Sequence, residues 1–347
     1  MDISILFITS GLFLGWSLGA NDAANLFGTA VGSKVIKFKT AAIIMSIFII
    51  LGAVISGAGA SHTLGKLGSI NKLPGAFTVA LAAAITVSFM TKYGLPVSTS
   101  QSIVGAIIGW NLFSNNPTNI ETLTKILSTW ILCPLLSAFF SIVIYKLIKK
   151  RAKKIKLNLF VKHIYIRYSL ILVGAFGAYS LGANNIANVM GVFTNSFSIS
   201  SIEFGILKIN QTQVIFLIGA ISISVGIITY SKNVMKTVGS SIYKLSPFTA
   251  LIVVLSSSLV LFVFASKNLQ NFLISLNLPS FPLVPVSSSQ AVVGAIIGIG
   301  LAKGDRNINL QKIKQIVIGW ILTPISSIII SYIFLFFMQN VFLQKVF

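Results

Sequence analysis

Two polar strings, each present twice, carry the residues of this chain that could do chemistry. Residues 19–25 (GANDAAN) return as residues 182–188 (GANNIAN), and residues 96–109 (PVSTSQSIVGAIIG) return as residues 285–298 (PVSSSQAVVGAIIG). The second pair matches at 11 of 14 positions. Chance similarity between apolar segments would repeat Ile, Val and Ala but not these polar residues. The chain is therefore an internal duplication that kept its polar strings.

The first string suits a cation. Asp22 is one of five acidic residues and the one inside a long apolar stretch, where an ionised carboxylate must pair, bind a cation or face water. Oxygen-bearing side chains at i and i+4 share a helix face, and we expect an unwound turn to add free carbonyls. The alternative is a helix break or a tight helix contact. The predicted Na⁺ or proton site consists of Asn21, Asp22, Asn25, Asn184, Asn185 and Asn188.

The second string suits an anion. Each copy carries three consecutive hydroxyls and a glutamine at the predicted start of a helix, whereas an N-cap needs one hydroxyl. Free N–H groups and the positive end of the helix dipole favour an anion there. Neither copy contains Lys or Arg, and neutral donors suit a substrate that must be released. The predicted cradle for a tetrahedral oxyanion, phosphate or sulfate, consists of Ser98, Thr99, Ser100, Gln101, Ser287, Ser288, Ser289 and Gln290.

An enzyme and a channel are the alternatives to a site that binds and releases ions. A serine hydrolase would need a base near a serine, but His62 and His163 are the only histidines and fall in predicted loops. The chain has no Gly-x-Ser-x-Gly elbow, so we predict that it is not an enzyme. An anion channel is a further alternative, although a pore needs no buried carboxylate. The single cysteine, Cys133, is predicted to be a small apolar filler.

The elements that must position these strings lie in a membrane. A chain with 55% apolar and 9% charged residues is too apolar for a soluble protein. Stretches long enough for a crossing, about 20 residues each, are 3–31, 40–60, 123–147, 168–193, 211–231 and 316–339. Shorter apolar stretches flank both copies of the second string and predict two re-entrant helical hairpins: 76–91 with 100–113, and 248–265 with 290–301.

The basic residues predict an orientation. A net charge of +21 would suggest nucleic acid in a soluble chain, but here 19 of the 26 basic residues fall on one predicted face, so we expect no nucleic-acid partner. The positive-inside rule puts that face in the cytoplasm and both termini outside the cell membrane. The fold class is then an all-α polytopic membrane protein with two inverted-topology repeats, each having three full crossings and one hairpin. The repeats are 1–147 and 168–347, joined by a basic cytoplasmic linker, 148–167. Hairpin tips that meet near the midplane are typical of alternating-access transporters.

The paired strings resemble those of the inorganic phosphate transporter (PiT) family, which also includes sulfate permeases. The resemblance covers nearly the whole chain and implies phosphate uptake by symport with Na⁺ or H⁺, with no other cofactor, in a homodimer. It implies a phosphate site at the hydroxyl clusters and coupling-ion sites, with Na⁺ possible, at Asn21, Asp22, Asn25, Asn184 and Asn188. The family often has Asp where this chain has Asn185, which changes the second ion site and makes sulfate more plausible; phosphate is the first expectation.

Overall fold

The computed structural model describes residues 4–93, 97–152, 158–197, 200–204, 207–238, 245–304 and 308–347. The regular secondary structure of these residues is helical apart from one short antiparallel ribbon. The first half contains α1 (Ser4–Gly32), α2 (Phe38–Ser56), α3 (Ala58–Leu67), α4 (Leu73–Lys92), α5 (Thr99–Phe113) and α6 (Ile120–Ala152). The second half contains α7 (Leu159–Met190), β1 (Ile202–Phe204), β2 (Leu207–Ile209), α8 (Gln211–Thr229), α9 (Ser231–Val238), α10 (Pro247–Val263), α11 (Lys267–Ser275), α12 (Ser288–Lys303) and α13 (Leu310–Asn340).

The described helices make the chain a multi-pass membrane protein. Six are long and apolar enough to cross a bilayer, namely α2, α4, α6, α7, α8 and α13. The helix α4, which the sequence predicts as a hairpin arm, thus also meets the requirement for a full crossing. The pair α10 and α11 meets it together but is bent by 70°, which fits a broken span or a re-entrant loop. The helix α1 is not among the six, although its 29 residues would span about 43 Å.

The two halves are interlocked through equivalent contacts. Helix α1 packs against α8 as α7 packs against α2, and α5 packs against α13 as α12 packs against α6. Glycines make the closest approaches: a Cβ at Gly105 would collide with the backbone of Pro324, and one at Gly294 with that of Pro134. Since small residues let membrane helices approach closely, the duplicated glycines explain why α5 and α12 each pack on a helix of the other half.

Several elements differ from the sequence expectations. His62 lies on α3 and His163 on α7, so the prediction that both lie in loops is wrong, although both side chains are exposed. Helices α6 and α7 extend into the predicted linker, whose residues 153–157 lie outside the described residues, as does Pro96 of the second string. Helices α3, α9 and α11 and the β ribbon were not predicted, because short helices and strands give weak periodic signals.

Candidate functional site

Each hydroxyl cluster begins a helix, as predicted. Helix α5 starts at Thr99 and α12 at Ser288. The hydroxyl of Ser98 accepts from the backbone N–H of Gln101, and that of Ser287 accepts from the backbone N–H of Gln290, both at 3.2 Å. One hydroxyl in each cluster is therefore an N-cap, and the predicted six-hydroxyl cradle has two members with a structural role.

The two clusters lie against each other in the interior. We call residues 97–101 the first tip and residues 284–290 the second tip. The hydroxyl of Ser100 donates to the carbonyl of Val286 at 3.0 Å, which joins the two tips directly. In the second tip, the hydroxyls of Ser287 and Ser289 are 3.0 Å apart. All eight predicted anion-site side chains are buried, none more than 4% exposed.

The first polar string contacts both tips. The carboxylate of Asp22 lies close to the hydroxyl of Ser288, and the amide Nδ2 of Asn25 donates to the same hydroxyl at 3.3 Å. The Nδ2 of Asn21 donates to the carbonyl of Val97 in the first tip, also at 3.3 Å. The structure thus places the predicted cation residues of α1 beside the predicted anion residues.

The second copy, on α7, contacts the tips in the same crossed way. The Nδ2 of Asn188 donates to the hydroxyl of Ser100 at 2.8 Å and to Oδ1 of Asn185 at 2.9 Å. The amide of Asn184 uses both of its ends: Nδ2 donates to the carbonyl of Val284 at 3.1 Å, and Oδ1 accepts from the N–H of Val286 at 2.8 Å. Asn184 therefore positions the second tip.

The expected unwound turn is wrong. Helices α1 and α7 continue without a break through residues 19–25 and 182–188, so these turns provide no free carbonyls. Gly19 packs against the backbone of Ile223, and Gly182 packs against that of Ile49. The glycines serve tight helix contacts, and an unbroken helix satisfies its own backbone polar groups in an apolar interior.

Several buried polar atoms of this site have no hydrogen-bond partner. Four are acceptors: Asp22 Oδ1, Gln101 Oε1, Asn188 Oδ1 and Gln290 Oε1. Two belong to groups that can donate: Thr99 Oγ1 and Asn185 Nδ2. Leaving such groups unpaired costs about 1–3 kcal/mol each, so this concentration makes the region a candidate ligand site. Carboxylate and amide oxygens fit a hard cation such as Na⁺, and the hydroxyl and amide donors fit an oxyanion.

Charge is sparse around the site. An ion pair joins Lys125 and Glu121, with 2.5 Å between Nζ and Oε1, and both side chains are exposed. Asp22 has no ion-pair partner among the described residues and is 2% exposed. The same residues contain no group of three or more His, Cys, Asp or Glu side chains that could hold a metal. The donor set therefore fits an alkali cation held mainly by neutral oxygens.

One contact to the site was missed by sequence reasoning. The thiol of Cys133 on α6 donates to the carbonyl of Ser287 at 3.6 Å, so this residue contacts the second tip as well as filling space. A signal was present: Cys133 lies in a Trp-Ile-Leu-Cys-Pro run whose second copy has Thr323 at that place. Both residues are small and can donate a hydrogen bond.

Comparison with known proteins decides the family. The family model described as the phosphate transporter family matches residues 18–331, which include both copies of both strings. The chain belongs to the phosphate transporter family. Because this is a family of transporters, the membership supports the prediction that the chain is not an enzyme.

Named relatives of this phosphate transporter family member include phosphate and sulfate permeases. A protein of Methanocaldococcus jannaschii named "Putative phosphate permease" is 30% identical over 334 residues, covering 96% of this chain and 97% of that relative. The sulfate permease CysP of Bacillus subtilis is 29% identical over 337 residues, covering 94% and 85%. A solved structure titled "The sodium-dependent phosphate transporter" matches with a TM-score of 0.76 and 25% identity, covering 98% of this chain and 99% of that one.

Proposed function

We propose that this family member takes up inorganic phosphate together with Na⁺ by alternating access. The observation that carries the proposal is the environment of Asp22. This buried carboxylate lies close to the hydroxyl of Ser288 in the second tip, its Oδ1 accepts no hydrogen bond, and it has no ion pair among the described residues. A cation at Oδ1 would neutralise the charge, which would otherwise repel an anion at the tips.

Sodium is the cation favoured here. The unpaired Oδ1 of Asn188 can ligate Na⁺ but cannot take up a proton near neutral pH. The solved structure that resembles this chain is sodium-dependent by its title. Asn185 adds no charge in the second copy, so Asp22 supplies the one carboxylate of the two strings.

Phosphate is favoured over sulfate by the acceptors. Near neutral pH phosphate can donate a hydrogen bond, which sulfate cannot do, and the unpaired oxygens Gln101 Oε1 and Gln290 Oε1 can accept it. Sulfate is the second candidate. It is supported by the relative named as a sulfate permease and by the neutral amide at Asn185, which lowers the negative charge facing the anion.

Inverted repeats would let the two halves rock about the tips. Two observations support inversion. The equivalent helices α6 and α13 carry basic residues at opposite ends, in the last turn of α6 and near the start of α13. Each also runs parallel to a hairpin arm of the other half: Gly105 and Gly109 on α5 face Pro324 and Ile328 on α13, in that order. Location in the cell membrane, both termini outside and a homodimer complete the proposal, on charge distribution and family resemblance.

The test is radiolabelled phosphate uptake by proteoliposomes. An inward Na⁺ gradient and, separately, an inward H⁺ gradient without Na⁺ would drive uptake, with excess unlabelled sulfate as competitor and protein-free liposomes as control. Uptake that needs the Na⁺ gradient and resists sulfate supports the proposal. Uptake driven by an H⁺ gradient without Na⁺ would show that the coupling ion is H⁺. Phosphate uptake abolished by sulfate would show that sulfate is the preferred substrate. Uptake that needs no gradient and does not saturate contradicts a coupled transporter and favours the anion channel.

A further inference from the structure

A second polar cavity lies apart from the tips. It has a volume of about 420 Å³ and is bounded by α3, by the segment after α7 and by the start of α8. Its polar lining includes Ser61, His62, Lys66, Thr194, Asn195 and Thr212. None of these residues belongs to either repeated string. We call this cavity the outer pocket, because the ends of α2, α7 and the start of α8 lie on the outer face in the orientation proposed above.

The lining suits an anion. Lys66 and His62 are one helical turn apart on α3, so both can point to the same side of the helix. The described residues give Lys66 no ion pair. Glu121 is within electrostatic reach of Lys66, but its carboxylate is bonded to Lys125. The amide of Asn195 and the hydroxyls of Ser61 and Thr212 add neutral donors around this positive charge.

The pocket reaches toward the transport site. A Cβ placed on Gly191 would lie 3.6 Å from the hydroxyl of Ser61, so Ser61 lies directly against the end of α7. Gly191 follows Asn188 by three residues, which is about one helical turn or 5 Å along the axis. Asn188 in turn donates to Ser100 of the first tip. The outer pocket therefore lies about one turn of helix from the polar cluster.

We propose that the outer pocket captures the tetrahedral anion from the external solution before the anion reaches the tips, with Lys66 as the principal attracting charge. This inference rests on the proposed function. It concerns entry of the anion from the outer side of the membrane only. The positive-inside distribution leaves few basic residues on the outer face. A cation at the mouth of a low-dielectric cleft raises the local concentration of anions and the rate at which they enter.

A structural role for Lys66 makes a different prediction. Lys66 lies in the last turn of α3, where a cation stabilises the helix dipole. If that were its whole role, its removal would lower stability and would affect transport from both faces alike. Capture from outside affects the outer face alone, so the sidedness of the effect separates the two roles.

The experiment measures phosphate entry from each face. Cells lacking their own phosphate uptake present the outer face, and inverted membrane vesicles from the same cells present the inner face, each with a Na⁺ gradient directed inward. Lys66→Gln removes the charge, and Asn195→Asp adds a negative charge to the same pocket. Lys72→Gln is the matched control, because Lys72 is an exposed basic residue just before α4 that does not line the pocket.

We expect Lys66→Gln and Asn195→Asp each to raise the KM for phosphate from the outer face about three- to tenfold with the maximal rate unchanged. The KM of these two variants from the inner face should match that of the wild type. The control Lys72→Gln should match the wild type at both faces. The effect should shrink at high ionic strength, where charges are screened. If the KM from the outer face is unchanged in both variants, or if the KM changes equally at both faces, the outer pocket does not capture the anion. The proposed function stands in either case as long as the wild type takes up phosphate. Absence of wild-type phosphate and sulfate transport would overturn the proposed function itself.

Discussion

Ser100 of the first tip donates a hydrogen bond to the main-chain carbonyl of Val286 in the second tip, with 3.0 Å between the two oxygen atoms. The same hydroxyl accepts from Asn188 on α7. One side chain thus connects the first tip, the second tip and the helix that carries the second copy of the first polar string. A movement of one half relative to the other must break or rearrange these hydrogen bonds. The geometry of the site therefore depends on the relative position of the two halves.

Ser100→Ala should lower both stability and phosphate affinity. It leaves a buried donor on Asn188 and a buried carbonyl on Val286 without this partner, which costs about 1–3 kcal/mol. Ser102→Ala is the matched control on the same helix, because Ser102 bonds to Ala83 and Ser327, away from the second tip. Thermal unfolding in detergent and the KM for phosphate should show a lower Tm in both variants and a higher KM in Ser100→Ala alone. Equal KM values would contradict a role for Ser100 in the site.

Ser98 and Thr99 are adjacent, but their replacement should have opposite effects on stability. Ser98→Ala removes the N-cap of α5 and should destabilise the protein by about 1 kcal/mol. Thr99→Val removes a buried hydroxyl that has no partner, so it should leave the ligand-free protein as stable or more stable. In uptake assays Thr99→Val should raise the KM for phosphate more than Ser98→Ala does. If Thr99→Val is less stable than the wild type and its KM for phosphate is unchanged, then the Thr99 hydroxyl bonds within the protein and does not contact the substrate.

Gly19→Ala should damage the fold because α1 has no room for a methyl group at this place. A Cβ there would collide with the carbonyl of Ile223, and overpacking of this kind costs about 1–3 kcal/mol. Gly32→Ala is the control, since a Cβ at Gly32 has nothing within 4 Å. The Tm in detergent should fall for Gly19→Ala and stay or rise for Gly32→Ala. Equal Tm values would show that α1 can move away from α8 without cost.

Asn185→Asp should change the ion requirement of transport. Its Oδ1 can still accept from Asn188, but the variant adds a second buried carboxylate that needs a cation. Initial rates as a function of Na⁺ concentration should become steeper, with a higher Hill coefficient than the wild type. Asn184→Asp is a contrasting variant, because it loses the amide that donates to Val284 and should chiefly lower stability. An unchanged Na⁺ dependence in Asn185→Asp would place residue 185 outside the ion site.

The duplicated strings allowed much of the site to be predicted. The hydroxyls that directly follow each Pro-Val pair in the sequence predicted helix starts there, and the starts of α5 at Thr99 and α12 at Ser288 confirm that prediction. Repetition of polar residues in an apolar chain also predicted which side chains would matter, since each buried polar group needs a partner. The structure shows the pairing that the sequence could not, such as Asn188 with Ser100.

The errors have two physical causes. Glycine and asparagine have low helix propensity in water, and they predicted a break at residues 19–25. In the protein interior an unbroken helix satisfies every backbone group, and Gly19 is used for contact with α8 instead. Tertiary packing therefore decided the local structure. Helices α3 and α11, of 10 and 9 residues, are too short for hydrophobic periodicity to identify.

The central claim is that a cation at Asp22 allows the anion to bind, and equilibrium binding of radiolabelled phosphate to the purified protein tests it most directly. Saturation curves with and without Na⁺ would be compared for the wild type and Asp22→Asn, with both proteins shown to be folded by their elution profile. The account predicts that Na⁺ tightens phosphate binding to the wild type at least about tenfold, equal to about 1.4 kcal/mol, and has little effect on Asp22→Asn. Equal Na⁺ enhancement in both proteins, or none in either, would contradict it.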